Sequence, residues 1–147
     1  MTGIEHIATF VDGDSGLATV SLVRADGTPH ASVVNAGVLD HPVGGEPVVG
    51  FVVRGDSYKL RRLRQHPRAA VTLRVGWRWG GVEGPVDLVG PDDTIDGFDP
   101  ADVPRLLRDV FIAAGGTHDD WDAYDRVMAE ERRTAVLVRP ERIVGVG

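Results

Sequence analysis

Eight of the chain's sixteen lysine and arginine side chains fall between Arg54 and Arg78. They are Arg54, Lys59, Arg61, Arg62, Arg64, Arg68, Arg74 and Arg78, and Asp56 is the only acid among them. The chain as a whole has a formal net charge of −6. Cations concentrated in this way in an acidic protein suit a local anion. Within the stretch, Tyr58 to about Gln65 reads as a helix capped by Asp56 or Ser57, with Leu60 and Leu63 facing inward and Pro67 ending it. A helix N-terminus presents backbone N–H groups without intrahelical partners and a partial positive charge. The Ser57 hydroxyl, Lys59 and Arg61 belong to that first turn, a combination that suits a phosphate. A solvated, arginine-rich helix face is the competing reading, because no GxxxxGK(S/T) or GxGxxG loop is present.

Trp77 and Trp79 follow the basic segment and precede Gly80-Gly81. On a strand, residues two apart share a face, so the pair could line a flat ring or form an apolar cluster at a subunit interface. Hydrolytic constellations are missing. His6, His30, His41, His66 and His118 are scattered without metal spacing, there is no cysteine, and no serine stands in a nucleophile elbow. The aspartates between Asp92 and Asp125 lack the order of a calcium loop and read as helix caps and a solvated face. No catalytic residue and no metal ligand is therefore singled out. Such a chain can hold a phosphorylated, flat molecule and leave the chemistry to it.

The elements that must position these residues are mostly strands. Leu17 to Arg24 and His30 to Leu39 read as a hairpin around Asp26-Gly27, and Val48 to Val53 as a short buried strand. After the basic helix, Ala69 to Val75 and Val82 to Gly90 are strands joined through Trp-Arg-Trp-Gly-Gly. Asp99-Pro100 opens a helix whose apolar face runs through Val103, Leu106, Leu107, Val110, Phe111 and Ala114. A second helix begins near Asp119 with Trp121, Tyr124 and Met128 on one face. Thr134 to Arg139 and Ile143 to Val146 close the chain as strands. Hairpin connections imply an antiparallel sheet, and short strands with glycine-rich turns a small closed or partly open barrel.

At 147 residues the chain reads as one domain, residues 1–147, large enough to bury a core unaided. The absence of cysteine, of a signal-peptide pattern and of a long apolar run points to a cytoplasmic protein with no membrane span. Negative net charge and 6% aromatic residues argue against nucleic acid as a partner.

Four segments carry a resemblance. Leu17-Ala-Thr-Val with Ala25-Asp-Gly-Thr-Pro-His-Ala-Ser resembles an opening hairpin, and Ser57 to Val71 a cofactor-phosphate helix with its following strand. Val82-Glu-Gly-Pro-Val-Asp-Leu is similar to a Val-x-Glu-Gly-x-Ala-x-Leu strand. Ala114 to Met128, with Arg132-Arg133 and Arg142-Ile-Val-Gly, resembles a C-terminal helix and last strand. Together they resemble the flavin/deazaflavin oxidoreductases of the pyridoxamine 5'-phosphate oxidase-like FMN-binding split barrel. Within these, the similarity is to the actinobacterial branch that uses the deazaflavin coenzyme F420.

The resemblance implies an antiparallel split β-barrel with a short mid-chain helix and a C-terminal helical pair. It also implies a homodimer with two sites at the subunit interface. Lys59 maps onto the lysine that contacts the cofactor phosphate, with Arg61 beside it. Ser57-Tyr58 stands where many relatives have Arg-x, so Arg54 or Arg61 takes over the missing charge or affinity is weaker. Val52, Val53 and Arg54 fall where the backbone lies against the ring system, and His30 and Ser32 share a strand face near it. Trp77 and Trp79 border the pocket from the partner subunit. The segment before the first strand, normally a helix, is expected to be shorter or irregular and the pocket more open. Arg61, Arg62, Arg64 and Arg68 could line a groove for the anionic tail of F420. The function implied is an F420-dependent oxidoreductase acting on a small conjugated or electron-poor molecule, with FMN as the alternative cofactor. A binding protein that holds F420, flavin or tetrapyrrole without turnover is the reading from a different class.

Overall fold

The computed structural model describes residues 3–145; Val146, assigned from the sequence to the last strand, lies outside them. Along the chain the elements are Ile4–Val11 (α1), Leu17–Val23 (β1), Pro29–Asp40 (β2), Pro47–Val53 (β3), Tyr58–Gln65 (α2), Arg68–Val75 (β4), Arg78–Val89 (β5), Val103–Ala113 (α3), Trp121–Glu130 (α4), Thr134–Val138 (β6) and Arg142–Gly145 (β7). Every strand pairing is antiparallel. Six strands close in the cyclic order β1-β2-β3-β6-β5-β4, and β4 returns to β1 through Thr19–Thr72, Val20–Val71 and Ser21–Ala70. β7 adds to the first half of β5. The architecture is the split β-barrel expected from the sequence, with its mid-chain helix and helical pair.

Local chemistry explains the hairpins. In the β1–β2 turn the Asp26 carboxylate accepts from the Thr28 amide at 3.0 Å and its hydroxyl at 2.6 Å, while Gly27 takes a φ of 87°. The β4–β5 turn needs only Gly76 and Trp77, since Val75 already pairs with Arg78. β5 therefore begins four residues earlier than the sequence pattern suggested. Trp77 sits in the turn, fully exposed, and Trp79 in the strand, so the two do not share a strand face.

Two apolar cores lie on either side of β3 and β6. Val49, Phe51, Val53, Val136 and Val138 point into the barrel, where Val20, Val71, Val82 and the α2 residues Leu60 and Leu63 meet them. Val48, Ala135 and Leu137 point the other way, onto Leu106, Leu107 and Val110 of α3 and Tyr124 of α4. Burial on both faces is why β6 reads as an uninterrupted apolar run.

The N-terminal segment is a helix after all. Ile7, Phe10 and Val11 of α1 are buried in the barrel core, with Ile4 packed against it, at a helical spacing that the nearby glycines obscured. At the other side, the end of α3 rests directly on the barrel backbone. A Cβ at Gly37 would run into the Ala113 carbonyl, and one at Gly16 into that of Ala114.

Candidate functional site

A cavity of about 420 Å³ opens between the barrel and the helical pair. β2 contributes Val33, Val34 and Asn35, and the end of β3 contributes Val52 and Val53. Arg54, Ser57 and Lys59 come from the β3–α2 turn and the first turn of α2. The opposite elements give Val110, Phe111 and Ala114 at the end of α3, Tyr124 and Met128 of α4, and Arg133. The volume falls in the range of about 300–1,000 Å³ usual for small-molecule sites.

The helix that carries the cations starts as its sequence dictates. Ser57 is extended at φ −76°, ψ 150°, and its hydroxyl oxygen accepts from the Leu60 amide at 3.2 Å. The cap sets Lys59 on the first turn, where Nζ donates to Ser32 Oγ of β2 at 3.1 Å. Burial pushes the Lys59 ammonium below the ordinary lysine range. Among the described residues no carboxylate pairs with it. A partly desolvated ammonium with one neutral partner is poised for an anion.

The remaining cations divide. Arg54 lines the cavity and donates to Asp56 at 3.2 Å and to Glu131 at 3.4 Å. Arg61 turns back to the Asp56 carbonyl at 2.8 Å and does not line the cavity. Arg62 donates to the Val23 carbonyl at 2.5 Å. Arg64 is bidentate on Asp93 at 3.0 and 2.7 Å, and that carboxylate raises its pKa further. Arg68 pairs with Glu141 at 2.6 Å. Arg61, Arg62, Arg64 and Arg68, expected to line a groove, each donate to an acceptor of the chain itself, and none of them lines this cavity.

Of the residues singled out from the sequence, Val52, Val53, Arg54, Ser57 and Lys59 meet in the cavity, and Ser32 touches it through Lys59. His30 and Tyr58 stack on each other at 5.2 Å outside its lining. Trp77 and Trp79 stand on the outer surface of the barrel, away from the cavity of their own chain. The sequence reading missed the cavity's other wall. Phe111 and Tyr124 were read as core, and they are, but their edges also face the cavity. Tyr124 donates to the Leu107 carbonyl at 3.1 Å, and burial pushes its phenol up to about 12, so it stays protonated. Arg133 had a signal only in the Arg132-Arg133 pair.

Val33 is 66% exposed and belongs to two surfaces. It lines the cavity and also a shallow depression on the outer sheet with Leu17, Thr19, Thr72 and Trp79. Among the described residues no group of three or more histidine, aspartate or glutamate side chains could hold a metal ion, and no helix is long and apolar enough to cross a membrane.

No protein-family model matches the chain, and neither does any curated protein. Solved structures do. A conserved hypothetical protein of Mycobacterium tuberculosis superposes with a TM-score of 0.66 at 23% identity, covering 97% of this chain and 82% of that one. A protein described as an F420 reductase gives 0.58 at 19% identity, covering 90% and 91%. A pyridoxamine 5'-phosphate oxidase-related, FMN-binding protein from Nostoc punctiforme gives 0.64 at 13% identity, covering 95% and 80%. At these identities the likeness establishes the fold.

Proposed function

We propose that the chain is an F420-dependent oxidoreductase that works as a homodimer, with FMN as the alternative cofactor. The observation that carries this reading is one cavity that joins apolar walls to the half-buried, carboxylate-free Lys59. The donor set fits a flat ring with a phosphate arm. Lys59 and the Ser57 hydroxyl would hold the phosphate, and Val52, Val53 and Val34 would pack on the ring. When bound, the deazaflavin supplies hydride transfer to a small electron-poor or conjugated acceptor. The chain itself positions the reactants and excludes water. The described residues lining the cavity include no carboxylate and no histidine, which leaves the protein a binding and orienting role.

The dimer is supported by the outer sheet. Leu17, Val33 and Trp79 are each more than 40% exposed on one antiparallel face, and Val33 connects that face to the cavity. A second copy seated there would complete the wall, and light scattering should return twice the chain mass.

Fluorescence titration with F420 and with FMN tests the cofactor. Saturable F420 binding, followed by loss of reduced F420 in the presence of an acceptor panel, is the expected result. Tight FMN binding without F420 binding would replace the cofactor. F420 binding without turnover on any acceptor would leave a cofactor-binding protein in place of an enzyme.

A further inference from the structure

Two turns are welded together at one end of the cavity. The Gly55 amide donates to the Glu131 carbonyl at 3.0 Å. A Cβ at Gly55 would stand 2.7 Å from Arg132 Cβ and 2.8 Å from the Arg132 carbonyl oxygen, so only glycine permits this approach. Arg132 adopts φ 48°, a left-handed conformation that non-glycine residues rarely take. The kink separates two adjacent arginines. Arg132 runs outward and is bidentate on Asp92, while Arg133 lines the cavity.

The Glu131 carboxylate sits between two guanidinium groups that both line the cavity. It accepts from Arg133 Nε at 2.8 Å and from Arg54 Nη1 at 3.4 Å. Glu131 and Arg133 side chains are each 26% exposed. Asp56, the other acid on Arg54, is 75% exposed and contacts only Nε, at 3.2 Å. Both terminal nitrogens of Arg133 and Nη2 of Arg54 have no hydrogen-bond partner among the described residues. A planar fork with open terminal donors matches a carboxylate.

We propose that Arg54 and Arg133 form a second anion grip, separate from Lys59, in which Glu131 holds the two forks in place for a carboxylate of the bound ligand. The inference rests on the cavity binding a flavin-type cofactor, and it names the kind: one with two separated anionic groups. F420 carries a phosphodiester followed by glutamate carboxylates, whereas FMN ends in its single phosphate. Unlike Arg61, Arg62 and Arg64 of α2, both grip residues line the cavity.

The test is the F420 and FMN affinity of Arg133→Gln, with Arg132→Gln as the neighbouring control and thermal melting as the check on folding. Loss of a charge-assisted pair should weaken F420 about tenfold or more and leave FMN within about twofold. Arg133→Lys keeps the charge but not the fork and should fall between wild type and Arg133→Gln for F420 alone. Arg132→Gln should leave both affinities unchanged. Unchanged F420 affinity in Arg133→Gln, or equal losses for both cofactors, overturns the grip. If Lys59→Ala leaves both affinities intact while Arg133→Gln still weakens F420, the grip stands and the phosphate placement falls. A wild-type protein that binds neither cofactor overturns both.

Discussion

The basic stretch contains two regions of opposite fate. From Arg54 to Lys59 the cations face a cavity, and Lys59 has only a serine hydroxyl for a partner. From Arg61 to Arg68 each guanidinium is already engaged, by the Asp56 carbonyl, the Val23 carbonyl, Asp93 and Glu141. What separates the regions is access to the cavity: Arg54 and Lys59 line it, and Arg61, Arg62, Arg64 and Arg68 do not. Charge density along the chain points the wrong way: Arg61 to Arg68 holds four cations and no acid in eight residues, against two cations and Asp56 in the six from Arg54 to Lys59.

The contrast can be broken most severely from beneath. Leu60 is fully buried on the helix that presents both regions, and Leu60→Ala should cost about 2–5 kcal/mol of stability in denaturant unfolding. Lys59→Ala should weaken cofactor binding by about 1.5–3 kcal/mol with little change in melting temperature. Unchanged affinity there would erase the distinction between the regions. A pH series sharpens it. Burial lowers the Lys59 pKa, so the charge is present at neutral pH and is lost as pH rises through a value below that of an exposed lysine. Affinity for an anionic cofactor should hold near neutrality and fall on the alkaline side, and Lys59→Arg should flatten that fall because arginine stays protonated. The smallest effect belongs to the second region. Arg64→Ala removes a partly exposed pair with Asp93 at the surface and should cost about 1 kcal/mol of stability, with cofactor affinity unchanged.

The fold was largely legible in the sequence because its signals are local. Ser57 and Pro67 bracket α2 at the residues observed, and Asp26-Gly27 marks the first hairpin. The β4–β5 turn was placed too late because the aromatic pair and its glycines looked like a loop, whereas Gly76-Trp77 is enough. α1 was missed because Gly13 and Gly16 lie close by, although Ile4, Ile7 and Val11 keep helical spacing. The site was half legible. Residues on one continuous segment, Val52 to Lys59, were found together. The other wall comes from residues more than fifty positions away, and nothing in Arg133's own neighbourhood tells that it faces inward while Arg132 faces out. The arginine partners were invisible for the same reason, since Asp93 and Glu141 lie 29 and 73 positions from Arg64 and Arg68.

Gly16 and Gly37 let the end of α3 close onto the main chain of β2 and of the turn before β1, beside the side-chain packing of Leu106, Leu107 and Val110. Any side chain there would push the end of the helix away, so at these two positions the backbone limits the spacing between the cavity's two walls. Diversity in what the cavity accepts must then arise where side chains project across that fixed gap, at Val33, Phe111 and Met128. For anyone redesigning its selectivity, those three positions are the adjustable ones, and the two glycines are the frame to leave alone.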